Sequence, residues 1–307
     1  MLELSEFIFA LSICIIASLA IYLSQLPNPP SAPPRPSRFQ VPRPSTPPID
    51  ATSTPYSEDT IITLLNDLYT LLLKLAYLPP NSVTFAPPDS GHKINVPLCE
   101  SLNLDPAVIS LMKRMPHTDY GMGGSEELEY PVFEGGWMYN FLRDEQILRS
   151  RDPERGAWSD QPRKNYLLPC DVALTEAEDP DLEWLVVDTR DNTIRRVSNT
   201  APDEDAVLER PDEPDHYRNT PTENAVSFLR THIEKIRSLD LLPFAWESRQ
   251  GFLDFYHPLH YPLKKIITDE YGWPNEFRSE DWARDKAGVW ENLEREHEEW
   301  EKSVREQ

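Results

Sequence analysis

Three groups of residues in this sequence have types and spacing that could do chemistry. Cys170 follows Pro169 at the head of the run "CDVALT", where a thiol could serve as a nucleophile. His257 and His260 stand close together in "HPLHYP" and could share a proton or a metal ion. Asp188 and Arg195, in "LVVDTRDNTIRRV", could face one another across a hairpin as an acid and its partner.

Each group also has a plainer reading. A reactive thiolate sits at a helix N-terminus or beside a cation, and the sequence places Cys170 at the start of a strand instead. Pro258 and Pro262 make the histidine segment irregular, and neither a cysteine nor a third histidine joins it in sequence. An Asp–Arg pair on a hairpin is usually a surface brace worth under about 1 kcal/mol. The chain has no GxSxG, HExxH, GxGxxG, GxxxxGK or kinase signature. We therefore assign no catalytic, cofactor-binding or metal residue and expect no cofactor. The alternative is a hydrolase using Cys170 or a site containing His257 and His260.

The elements that would position such groups are legible in part. In "SEDTIITLLNDLYTLLLKLAYL", Ser57 is an N-cap, Glu58 and Asp59 suit the positive end of a helix, and Pro79-Pro80 end it. Asn66, Asp67 and Lys74 within this run point to a buried soluble helix, or one that binds a partner, rather than a second membrane span. Asp105 is read as the cap of a short helix with Pro106 at its first position, whose Val108, Leu111, Met112 and Met115 face the core. The glycine-rich segment 120–141 is read as turns around a strand at 130–133.

A strand at 171–175 precedes the hairpin, in which Asp191-Asn192 is the turn. That turn sets Asp188 against Arg195, Val186 against Val197 and Thr189 against Ile194. Trp184, Leu185, Val186 and Val187 are apolar on both faces, which marks an interior strand, so an antiparallel meander is expected. The acidic connector 199–215 has seven acids but neither the alternate spacing nor the glycine of a calcium loop. Val226, Leu229, Ile233, Ile236 and Leu239 then form the apolar face of a helix on the sheet. A final helix from Ser279 carries Trp282, Val289, Leu293, Trp300 and Val304 in one stripe.

The net charge of -22 over 307 residues is unevenly placed. Residues 1–55 balance Glu3, Glu6 and Asp50 against Arg35, Arg38 and Arg43, so the whole excess lies in 56–307. A body this acidic repels phosphate backbones, and no nucleic-acid partner is expected. Cys14, Cys99 and Cys170 form no CxxC pair; one Cys99–Cys170 bridge is arithmetically possible, two separate buried thiols commoner.

Residues 7–23 carry no charge and would make a helix of about 26 Å, enough to span a bilayer. The competing reading is a cleaved signal peptide, but the leader "MLELSE" has no Lys or Arg, and the basic residues follow the apolar run. By the positive-inside tendency the body is cytoplasmic, anchored in a membrane through 7–23. Residues 27–55 hold eleven prolines and form an extended tether of up to about 90 Å. Its "PPRPSR" could serve as an SH3 or WW ligand, and the plainer reading is a spacer.

The order of these elements, with "DPAVISLMKR", "YLLPCDVALT", "LVVDTRDNTIRRV" and "PDHYRN", resembles the SUKH superfamily of fungal cell-wall-synthesis regulators and bacterial toxin-immunity proteins. The resemblance covers about 96–242. Met115-Pro116 stands where the family usually has Asn-Gly after its first helix. What it implies is an α+β fold that binds other proteins, with no functional residues to carry over. The expected organisation is an anchor (1–26), a tether (27–55), an acidic α+β domain (56–278) whose antiparallel or mixed sheet is flanked by helices, and a charged helix (279–307). The expected function is a membrane-anchored, non-enzymatic protein-interaction module with a protein partner.

Overall fold

Ser57 starts the first helix as its type predicts. Its hydroxyl accepts from the Thr60 N–H, and α1 (Glu58–Lys74) carries Glu58 and Asp59 in its first turn. Ile61, Leu65, Leu68 and Leu72 are fully buried in the core. The helix ends before the expected Pro79-Pro80. Ala76 takes φ +53°, and its N–H and that of Tyr77 close on Leu73 O and Leu72 O at 2.9 and 3.0 Å. Those two bonds satisfy the last carbonyls, so no proline is needed to stop the helix.

The computed structural model describes residues 55–118, 130–134, 136–153, 164–177, 183–198, 208–213, 216–246 and 249–305. The expected anchor (7–23), the tether except its last residue, and most of the acidic connector lie outside the described residues. Among the described residues, no helix is long and apolar enough to cross a membrane.

After α1 come β1 (Val83–Thr84), α2 (Val96–Ser101), α3 (Pro106–Arg114) and β2 (His117–Thr118), with β1 and β2 paired. Pro106 opens α3, and Val108, Leu111, Met112 and Met115 are buried, as expected. Asp105 makes no side-chain cap. Its carboxylate instead accepts from Arg190 Nη2 at 2.8 Å.

The strand expected at 130–133 lies later, as β3 (Gly136–Met138), and Phe133 makes only a single bridge to Gly136. Pro131 has no N–H to give a ladder. Gly136 in turn lets the chain lie close on Thr175, since a Cβ there would stand 3.0 Å from the Thr175 Cβ. α4 (Asp144–Arg149) follows.

The principal sheet is the expected meander: β4 (Asp171–Ala173), β6 (Trp184–Asp188), β7 (Thr193–Val197) and β8 (Thr222–Asn224), in that order and antiparallel throughout. The strand expected at 171–175 breaks at Leu174, and β5 (Thr175–Ala177) leaves the sheet to pair with β3. β6 is buried along its whole length, as an interior strand should be.

The hairpin register differs from the expected one. Asp188 opposes Thr193, Val187 opposes Ile194, and Val186 opposes Arg195, so the loop holds four residues, Thr189 to Asn192. The Asp188 carboxylate accepts from the N–H groups of Arg190 and Asp191, and Asn192 takes φ +54°. Asp188 thus builds the turn rather than facing Arg195, which is 2% exposed and ion-paired to Glu209. The expected surface brace is absent. The shift is two residues, so each side chain keeps its face.

The short helical turn Tyr217–Asn219 precedes β8, and α5 (Ala225–Arg237) follows it. Val226, Leu229, Ile233, Ile236 and Leu239 are all buried, and α5 packs on α1 and along β7 and β8. On the opposite face of the sheet, the Tyr217 ring lies 6.2 Å from that of Trp184. β9 (Leu242–Trp246) and β10 (Arg249–Leu253) then form a hairpin, and α6 (His260–Asp269) leads to α7 (Ser279–Arg305).

α7 docks by its first half. Trp282 Nε1 donates to Leu75 O at 2.9 Å, and the Trp290 ring stacks on Phe244 at 5.1 Å. Val289 is half-buried against the core, as expected, and Trp290 beside it is buried as well. Trp300 and Val304, also expected on that stripe, are 60% and 52% exposed. The described residues give an α+β fold of small antiparallel sheets and helices.

Candidate functional site

Cys170 heads β4 beside Asp171, and Asp188 stands opposite Asp171 at the end of β6. Ligand atoms of these three residues lie within 4.8 Å of one another, and this is the one such grouping among the described residues. Two carboxylates face to face in a sheet repel. The repulsion is met by Arg218, whose Nη1 donates to Asp171 Oδ2 at 3.0 Å and Asp188 Oδ2 at 2.8 Å, while its Nε donates to Glu209 at 2.9 Å. Tyr217 O–H donates to Asp171 at 2.6 Å and accepts from the Leu168 N–H at 2.9 Å. His216 Nδ1 accepts from the Arg218 N–H, which sets the turn that aims the guanidinium inward. Arg151 adds a second buried cation, donating to Asp171 O at 2.7 Å and to Leu168 O at 3.0 Å.

The two carboxyls are pushed apart. Burial raises Asp171 and is only partly offset by Tyr217 and Arg218. Burial would raise Asp188 too, but the Arg218 guanidinium and the N–H groups of Arg190 and Asp191 outweigh it and hold Asp188 below the usual range. Cys170 goes the other way from a nucleophile: burial, then the charges of Asp171 and Asp188, push its thiol up to about 12. A metal ion needs a thiolate and the space between the carboxylates. The guanidinium already fills that space, so the cluster fits a structural ion network better than a metal centre.

The structure does not bring the histidines to this cluster. His257 Nδ1 accepts from the Leu259 N–H at 3.2 Å, shaping the loop before α6. His260 is buried, and its Nε2 lies 2.9 Å from Leu239 O, which ties α6 to the end of α5. Among the described residues no carboxylate hydrogen-bonds to either ring. Cys99 and Cys170 are both free, so the arithmetically possible bridge is not formed.

A separate cleft of about 140 Å³ opens between α5 and the outer ends of β6, β7 and β8. Phe133, Phe228 and His232 form its aromatic part, while Glu134, Glu183, Glu223, Arg196 and Lys235 supply charge. The His232 ring lies 4.7 Å from Phe133, parallel to Phe228, and its Nε2 is 3.2 Å from Val132 O.

The chain matches no family model, no curated protein and no solved structure.

Sequence reasoning missed Arg218, Tyr217 and the cleft. The phrase "PDHYRN" was the available signal for the first two, a Tyr-Arg step directly after an acidic segment. Nothing local marks the cleft, because its lining is drawn from residues 133 to 235.

Proposed function

We propose that this chain is a non-enzymatic protein-interaction module held at a membrane. In this reading residues 7–23 are a single-pass anchor, 27–55 a tether, and the acidic SUKH-like body lies on the cytoplasmic side. The observation that carries it is the unfinished apolar stripe of α7: Trp282, Trp290 and Leu293 are buried, while Trp300 and Val304 on the same helix stand in solvent. Tryptophan is enriched at protein interfaces, where its ring supplies a large apolar area and its N–H a polar handle. Glu296, Glu298, Glu299 and Glu301 around it favour a partner with a basic, amphipathic surface.

The raised thiol of Cys170, enclosed by Asp171, Asp188 and Arg218, supports recognition rather than hydrolysis. The test is affinity capture with the full chain from membranes of a fungal-type cell, with Trp300→Asp in parallel. The expected result is a defined protein recovered by the wild type and lost with the variant. Recovery of the same proteins by both would overturn the role given to α7.

A further inference from the structure

We propose that the cleft between α5 and the β6–β8 face is a binding site for a primary ammonium carried on a short alkyl chain, the group at the end of a lysine side chain. The groups left uncommitted there are mainly acceptors. His232 is 6% exposed, and its Nε2–H is spent on Val132 O, which leaves Nδ1 as a lone-pair nitrogen. Nδ1 has no hydrogen-bond partner among the described residues. Burial lowers His232 to about 4, so the ring is neutral and accepts rather than donates at Nδ1.

Glu134 and Glu223 line the same cleft and make no ion pair among the described residues. Glu183, by contrast, is held by Arg196 at 2.6 Å. Burial raises Glu223, and the charges of Arg196 and Lys235 offset only part of it. Phe133 and Phe228 add apolar aromatic walls, which shelter the methylenes of the alkyl chain. Lys235 and Arg196 are the opposing charges; Lys235 is solvent-exposed, and Arg196 is paired with Glu183.

Size selects within the class. A cavity of about 150 Å³ holds a guest of benzene size. A cleft of about 140 Å³ therefore suits four methylenes and an ammonium. Glu134, Glu183 and Glu223 outnumber Arg196 and Lys235 around the cleft, so an anion is disfavoured. A divalent metal ion is disfavoured because no three ligand atoms here converge to metal-binding distance.

Thermal unfolding of the full chain in detergent tests the site, with n-butylammonium chloride as probe and sodium butyrate and sodium chloride as controls. Saturable stabilisation by n-butylammonium alone is expected, with the affinity falling about tenfold or more in Glu134→Gln/Glu223→Gln. Both glutamates are solvent-exposed, and the Tm of the variant without ligand reports whether its fold is kept. Nα-acetyl-lysine methylamide distinguishes the sources: stabilisation equal to that by butylammonium assigns a lysine of a protein, and stabilisation by free amines alone assigns a small metabolite. Equal stabilisation by butyrate, no saturable effect, or full affinity in the double variant would each overturn the proposal.

Discussion

Asp171 stands directly opposite Asp188 on neighbouring strands, and a single nitrogen of Arg218 bonds both carboxylates, at 3.0 and 2.8 Å. The two acids are 0% and 1% exposed, so neither can turn to water when the cation is removed. The sheet and the 208–219 segment are therefore joined by charge as well as by the Trp184–Tyr217 contact.

Arg218→Ala should destabilise the protein by about 3–5 kcal/mol, the usual result of stranding a buried charge. Urea denaturation of the full chain in detergent measures it. Asp188→Asn in the Arg218→Ala background should recover part of the loss, because it removes the facing charge. A loss of under about 1 kcal/mol, typical of an exposed pair, would show that water screens the cluster.

Acid should weaken the fold through two histidines. Burial lowers His232 to about 4 and His117 to about 3, the latter with help from nearby His92. Between the unfolded value of about 6.5 and those figures, the unfolded chain binds protons that the folded chain refuses, so stability falls as pH falls. At pH 5 each histidine should cost about 2 kcal/mol relative to pH 7. Urea titrations of His117→Phe and His232→Phe at both pH values should each show a flatter dependence than the wild type. Asp188, held low, adds stability that is lost as pH drops through its folded pKa. Asp171, held high, imposes a penalty that grows as pH rises from the unfolded value to its own folded pKa.

The two halves of α7 should respond differently to truncation of their tryptophans. Trp282→Ala removes a 5%-exposed ring and its bond to Leu75 O, and should cost about 3–5 kcal/mol. Trp300→Ala should change stability by no more than about 0.5 kcal/mol, as exposed sites do. A large loss at Trp300 in the purified chain would mean that its ring is already covered.

Cys170 should resist thiol reagents. With its pKa near 12, its thiolate fraction at neutral pH is under about one in 10⁴. Iodoacetamide labelling followed by peptide mapping should find Cys99 and Cys170 unmodified in the native chain and both modified in urea. Rapid native labelling at Cys170 would revive the hydrolase alternative.

What could be read from the sequence was local or periodic. The Ser57 cap, the Asp105-Pro106 helix start, the 226–239 stripe and the meander order depend on residues within a turn or two of one another. The hairpin was recognisable but its register was not, because Asp188 bonds two backbone N–H groups and lengthens the loop to four residues. The polar core was hidden for a different reason. Arg218 lies 47 residues from Asp171 and 30 from Asp188, and neither acid carries a local sign of its partner. The cleft is more dispersed still, with His232 hydrogen-bonded to a carbonyl 100 residues away.

The outermost strand of the main sheet, β8, has only three residues, follows Pro221 and carries Glu223. A brief, charged margin of this kind offers little template for another chain to extend the sheet, which guards against cross-β aggregation. Self-association along that margin is thereby discouraged, even where many copies of the chain are crowded together.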